Sequence, residues 1–162
     1  MTIGTLVKWG VSAVVIADDI AYQRCTYASP QVIGERLLPL YSLMVGRIHD
    51  GGAYALFHSD GNITRLIPDL ISCGFDALAG CEPECLDLAH LKKTYGSRLA
   101  FMTGIRAGLP EPDSPISALK DGFLRDMQEL AQGGGFIMCS ACGVNSREVV
   151  ERLKELYVWT GE

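Results

Sequence analysis

Five short apolar runs, each followed by a stretch of helical periodicity, constrain this chain more than any other feature. They are Ser-Ala-Val-Val-Ile-Ala at 12–17, Ala-Tyr-Ala-Leu-Phe at 53–57, Phe-Asp-Ala-Leu-Ala at 75–79, Leu-Ala-Phe-Met at 99–102 and Gly-Phe-Ile-Met at 135–138. None alternates strictly between polar and apolar residues. Continuous apolar runs of this length fit strands buried on both faces, as in a parallel sheet. Helix signals lie between them. Ser29-Pro30 offers an N-cap and a proline in the first turn, opening an amphipathic run to about Asp50. Ile63, Leu66, Ile67, Leu70 and Ile71 keep helical spacing up to Gly74. Leu86, Leu88 and Leu91 precede the cationic pair Lys92-Lys93, and further helices open at Ser114-Pro115 and Ser146. A first helix spans Thr2 to Trp9.

Strand and helix alternating five times predict a parallel α/β architecture over residues 1–162, read as one domain. A complete (βα)8 barrel takes about 200 residues or more. The fold expectation is therefore a partial (βα)8 barrel of about five parallel strands, or a small open parallel α/β sheet. Five strands cannot close a barrel built for eight, so two edges and an inner face stay open. Val14, Ile16, Leu56, Ala100 and Ile137, or their alternates, are the expected inner-face residues. The uncovered face predicts a homo-oligomer, or association with a missing barrel half.

Charge narrows the partners. Fourteen Lys and Arg against nineteen Asp and Glu leave a formal charge of −5. An acidic chain without a basic cluster carries no electrostatic footprint for nucleic acid or a membrane surface. No apolar run reaches the roughly 18 residues of a membrane span, and the N-terminus lacks a secretory pattern. The expectation is a soluble, cytoplasmic protein whose cysteines are reduced.

In parallel α/β folds, ligands gather at the C-terminal ends of strands. Those ends read Asp18-Asp19, His58-Ser59-Asp60-Gly61-Asn62, Gly80-Cys81-Glu82-Pro83-Glu84-Cys85, Thr103-Gly104-Ile105-Arg106 and Cys139-Ser140-Ala141-Cys142-Gly143. His58 and Asp60 sit at i and i+2, so a continuing strand projects both to one side. That pair suits a metal ligand set, or a general-base His oriented by an acid. The alternative is a His bonded to backbone, with Asp60 capping the next helix. One of Asp18 and Asp19 must turn toward the core; a carboxylate there binds a ligand or accepts backbone N–H groups. Cys139-x2-Cys142 has metal-like spacing and Cys81-x3-Cys85 a looser one, but spacing is the only support for a four-thiolate site, and single core cysteines are the commoner reading.

Several stretches together resemble the uroporphyrinogen decarboxylase superfamily. They are Phe57-His-Ser-Asp-Gly-Asn-Ile-Thr-Arg-Leu-Ile-Pro-Asp-Leu-Ile-Ser-Cys-Gly-Phe-Asp-Ala-Leu78, Glu82-Pro83, and Leu86 through Ile105. Gly-Gly-Gly-Phe-Ile at 133–137 and Asp18-Asp19 fit the same pattern. The likeness runs from about Gly10 to Leu156. It implies the last five strands of a (βα)8 barrel with its site in the strand C-terminal mouth. The superfamily contains cofactor-free uroporphyrinogen decarboxylases, and zinc methyltransferases that move a methyl group between a corrinoid and a thiol. The last turn, Ser140-Ala141-Cys142-Gly143, lacks the decarboxylase His, so the methyltransferase branch is nearer. By that resemblance Zn is held by His58, Asp60 and Cys142, with Cys139 as a substitute. Asp60 stands where the branch has its first Cys. Asp18, Asp19 and His58 are the candidate catalytic residues, and a small molecule or corrinoid protein is the substrate. Arg106 replaces the acid that usually follows the fourth strand. Decarboxylation of uroporphyrinogen or a related tetrapyrrole, and a non-catalytic binding module, are the alternatives.

Overall fold

The computed structural model describes residues 2–106, 108–140 and 143–161. Strands β1 (Ala13–Ala17), β2 (Tyr54–His58), β3 (Ala77–Cys81), β4 (Ala100–Ile105) and β5 (Phe136–Ser140) form one sheet in the order β1-β2-β3-β4-β5. All four pairings are parallel. Sequential order with right-handed crossovers places every connecting helix on the same face. The helices are α1 (Ile3–Lys8), α2 (Pro30–Arg36), α3 (Leu38–Asp50), α4 (Ile67–Cys73), α5 (Leu88–Tyr95), α6 (Ile116–Ala131) and α7 (Arg147–Gly161). A 3₁₀ turn, Thr64–Leu66, precedes α4.

Local chemistry accounts for several helix ends. Ser29 caps α2 by accepting from the Val32 N–H, Asp87 caps α5 by accepting from His90 N–H, and Ser146 accepts from Val149 N–H at the start of α7. Gly74 ends α4 in the left-handed conformation, φ 95°. The single helix expected from Pro30 to Asp50 is two helices joined at Leu37. Pro39 lies in the first turn of α3, where its missing N–H costs nothing, whereas in mid-helix it would clash with the preceding turn.

Side chains alternate across the sheet. Val14, Ala55, Phe57, Leu78 and Phe101 point into the helix layer and join Ile33, Tyr41, Val45, Ile48, Leu66, Ile67, Leu70, Leu91 and Phe123 in the core. Ile16 packs against that core as well. Of the expected inner-face residues, Val14 and Ile16 therefore belong to the helix side, and their alternate Val15 takes the open side. The register aligns Val15, Leu56, Ala77 and Ala100 in one row, and Ala17, His58, Ala79, Met102 and Ile137 in the next. On that face Val15 is 49% exposed, Tyr54 65% and Ile137 47%, while Leu56, Ala77 and Ala79 on the middle strands are shielded. Among the described residues no helix is long and apolar enough to cross a membrane.

Candidate metal centre

The parallel register brings Ala17 opposite His58, so the acids after β1 meet the residues ending β2. Pairing continues one step further, as the Asp18 N–H donates to His58 O at 3.0 Å. Asp18 and Asp19 then diverge. The Asp18 carboxylate accepts from the Tyr41 hydroxyl at 2.6 Å, toward α3 and the core. Burial, then the bond to Asp18 and its charge, push the Tyr41 phenol well above its ordinary pKa. Asp19 takes the opposite side. Its Oδ1 accepts from the Asp60 N–H at 3.1 Å and lies 3.6 Å from His58 Nε2. Asp60 Oδ1 lies 3.8 Å from the same nitrogen.

His58 is aimed by its surroundings. Nδ1 lies 3.3 Å from Ala79 O, so the Nδ1–H donates there and Nε2 faces the two carboxylates. The ring occupies space that Gly80 leaves free. Gly80 has φ 71°, and a Cβ on it would sit 2.1 Å from His58 Nδ1. The β3–β4 register shifts between Ala79 and Cys81 at this glycine. Gly80 was legible only as a lone glycine inside a strand pattern, a signal for a bulge or a close approach.

The loop after β2 is stitched in place. Buried Ser59 accepts from the Ile20 N–H and donates to Asp60 O. Gly61, at φ 80°, lies against the Tyr22 backbone, where a Cβ would meet Tyr22 atoms at 2.6 Å. Its N–H donates to Glu82 Oε2 at 2.9 Å, which also accepts from the Cys85 thiol at 3.2 Å. Glu82 thus braces the site from just after β3, a role not evident in its sequence position. Burial, followed by the negative charges of Glu82 and Asp19, raises the Asp60 carboxyl above its usual range, and His58 opposes the shift.

Among the described residues, Asp19, His58 and Asp60 are the group able to hold a metal, with ligand atoms all within 4.8 Å of one another. Zinc bonds of about 2.0–2.2 Å in a tetrahedron set ligand atoms about 3.3–3.6 Å apart. The His58 distances of 3.6 and 3.8 Å are close to that span. An imidazole nitrogen and two carboxylate oxygens facing one another are all cation donors, so the donor set fits a divalent ion. Asp19 enters this set beside His58 and Asp60, while Cys142 lies outside the described residues. Three other thiols are shifted upward in pKa. Burial pushes Cys81 and Cys139 up, and burial with Glu82 brings Cys85 to about 11. Arg106 lies apart, in a cleft of about 260 Å³ with Asp87, Asp126 and Glu129.

No protein-family model matches the chain. Over 154 residues, 93% of its length, it is 24% identical to the Methylcobamide:CoM methyltransferase MtaA of Methanosarcina barkeri, and it covers 42% of that protein. The fold superposes on a methyltransferase from Methanosarcina mazei with a TM-score of 0.71 at 19% identity, covering 99% of this chain and 45% of that one. The sequence likeness supports the resemblance to the uroporphyrinogen decarboxylase superfamily on its corrinoid-methyltransferase branch, and the structural likeness supports the fold. The chain spans less than half the length of either relative. It departs from that superfamily's motif in a chemically specific way. Asp60 puts a hard oxygen where the methyltransferase pattern carries sulfur, and Asp19 adds a second oxygen to His58. A His and two carboxylates form a less thiophilic set, open to zinc and to harder divalent ions.

Proposed function

We propose that this protein takes part in methyl transfer between a corrinoid and a thiol at a zinc site formed by Asp19, His58 and Asp60. The observation that carries the reading is the convergence of those three side chains at the ends of β1 and β2. The similarity to a methylcobamide-dependent methyltransferase supplies the reaction class. Cys142, two residues beyond the last residue of β5 in the sequence, is the thiolate that the sequence offers for a remaining position. When bound, zinc lowers the pKa of a thiol and presents it as a thiolate nucleophile.

The chain's own residues prepare that chemistry. The Ala79 carbonyl holds His58 in the tautomer whose Nε2 is free to ligate. The Asp60 N–H bond fixes Asp19 beside it. Ser59 anchors the backbone of the loop, and Glu82 holds the Gly61 N–H. Asp18 serves the scaffold through Tyr41. The open face above the site is where a corrinoid protein, a second copy or further barrel strands would seat.

Elemental analysis of protein purified without chelator tests the proposal. About one zinc per chain is expected, with most of it lost in His58→Ala and in Asp19→Asn. Absence of any transition metal after growth in zinc overturns it. With zinc present, transfer of the methyl group from methylcobalamin to a small thiol, followed by corrinoid absorbance, tests the reaction itself.

A further inference from the structure

Asp18 and Asp19 are adjacent and chemically identical, so nothing in the two side chains decides which one reaches His58. The decision lies beneath the site, in the core. Tyr41 of α3 is 2% exposed, whereas Tyr22, Tyr27, Tyr54 and Tyr157 are all exposed. Its ring lies among core aromatics, with centroids 5.2 Å from Phe57 and 6.1 Å from Phe75. A phenylalanine ring would meet the same neighbours. A buried hydroxyl costs stability unless it is hydrogen-bonded, so the Tyr41 oxygen points to a specific partner. That partner is Asp18, whose Oδ2 accepts from the hydroxyl at 2.6 Å.

Tyr41 thereby touches the residue next to each of two ligand candidates. Phe57 precedes His58 on β2, and Asp18 precedes Asp19 just after β1. The strand ends are also joined directly, by the Asp18 N–H donating to His58 O at 3.0 Å. In extended backbone, successive side chains point to opposite sides. Holding Asp18 toward α3 therefore turns Asp19 the other way. There its Oδ1 accepts from the Asp60 N–H at 3.1 Å and lies 3.6 Å from His58 Nε2. Burial foremost, with Asp18 adding to it, keeps the Tyr41 phenol protonated and able to donate.

We propose that Tyr41 is a positioning residue for the candidate metal centre: its hydroxyl holds Asp18 inward and so selects Asp19 as the carboxylate beside His58 and Asp60. Tyr41 touches none of the three ligand candidates and acts through Asp18. The consequence for metal binding rests on the metal-site reading above; the selection of Asp19 does not.

The test is amide hydrogen exchange by NMR on the metal-free full chain. The Asp18 N–H reports the strand-end pairing, and the Asp60 N–H reports the bond to Asp19. The Phe101 N–H, which donates to Gly135 O from β4, reports the stability of the fold. In Tyr41→Phe, exchange at Asp18 and Asp60 should quicken at least tenfold relative to Phe101. Asp18→Ala leaves the Tyr41 ring in place and should quicken exchange at Asp60 in the same way, which keeps the test open where Tyr41→Phe does not fold. Asp18→Asn keeps an oxygen acceptor for the hydroxyl and should leave the Asp60 amide at its wild-type rate. Equal acceleration at all three amides shows a packing role alone and overturns the proposal. So does an unchanged Asp60 amide in Tyr41→Phe, or an Asp18→Asn variant that behaves as Asp18→Ala. Calorimetric titration with zinc then separates the two claims. Affinity at least tenfold weaker in Tyr41→Phe is expected, and wild-type affinity in that variant overturns the positioning role. A wild-type protein that takes no zinc yet shows the local exchange pattern removes the metal reading and leaves Tyr41 as the residue that selects Asp19.

Discussion

The two faces of one sheet differ in kind. Toward the helices, the strands send Phe57, Leu78 and Phe101, all buried, into a continuous core. Toward the other side, the sheet sends Val15, Tyr54 and Ile137 into solvent, together with the half-buried His58. Each strand therefore carries two chemistries, one residue apart. The helix face holds the fold; the open face and its upper rim hold the candidate chemistry. A substitution should act on stability or on the site according to which way its position points.

The largest contrast is expected between two aromatic residues of β2 on opposite faces. Phe57 is fully buried and packs 5.2 Å, centroid to centroid, from both Tyr41 and Phe75. Phe57→Ala should cost about 3–5 kcal/mol in urea unfolding. Tyr54→Ala, on the open face, should cost under about 0.5 kcal/mol. Similar losses for the two would break the comparison.

Next is self-association. Leaving large apolar side chains wet costs about 1.5–3 kcal/mol each, which favours covering the open face with a second copy. Light scattering should find an oligomer at micromolar concentration. Val15→Lys with Ile137→Lys should shift it to monomer without unfolding it. A stable wild-type monomer contradicts this.

Gly80→Ala probes the point where strand geometry and the site meet. The substitution forces an alanine to φ 71° and a methyl group into the His58 ring. A stability loss of about 1–3 kcal/mol is expected. Zinc content should fall at least tenfold as His58 is displaced. Unchanged zinc would separate the Gly80 bulge from the site.

The smallest effect is a pH dependence of the metal-free protein. Because the folded-state pKa of Asp60 is raised, ionising it opposes folding. The penalty is absent below the ordinary carboxylate pKa of about 3.9 and complete above the raised value. Asp60→Asn should therefore raise the Tm of metal-free protein near neutral pH, by about 1–3 °C given the exposure of the group. The gain should vanish below about pH 4. With zinc bound the sign reverses, because a ligand is lost.

The alternation of strand and helix was legible because its signals are local. Apolar run length, a capping Ser29 or Ser146, and Gly74 after the last turn of α4 act over a few residues each, and the structure keeps them. The break at Leu37 was legible too, in Pro39, but the amphipathic pattern continues across it and conceals it. His58 and Asp60 were visible as a pair because strand alternation puts i and i+2 on one side.

Asp19 is different. Its place beside His58 depends on the register that pairs Ala17 with His58 across 41 residues of chain, and nothing local encodes that register. The same pairing turns Asp18 toward Tyr41, so two adjacent and identical residues take opposite roles. Gly80 likewise matters only because a neighbouring strand brings the His58 ring against it. The sequence by itself determined which segments are strands and helices, and which residue types stand at their ends, because these follow from short-range sterics, capping and hydrophobic periodicity. Tertiary structure alone decided which carboxylates converge, because convergence is set by hydrogen-bond register between strands far apart in the chain.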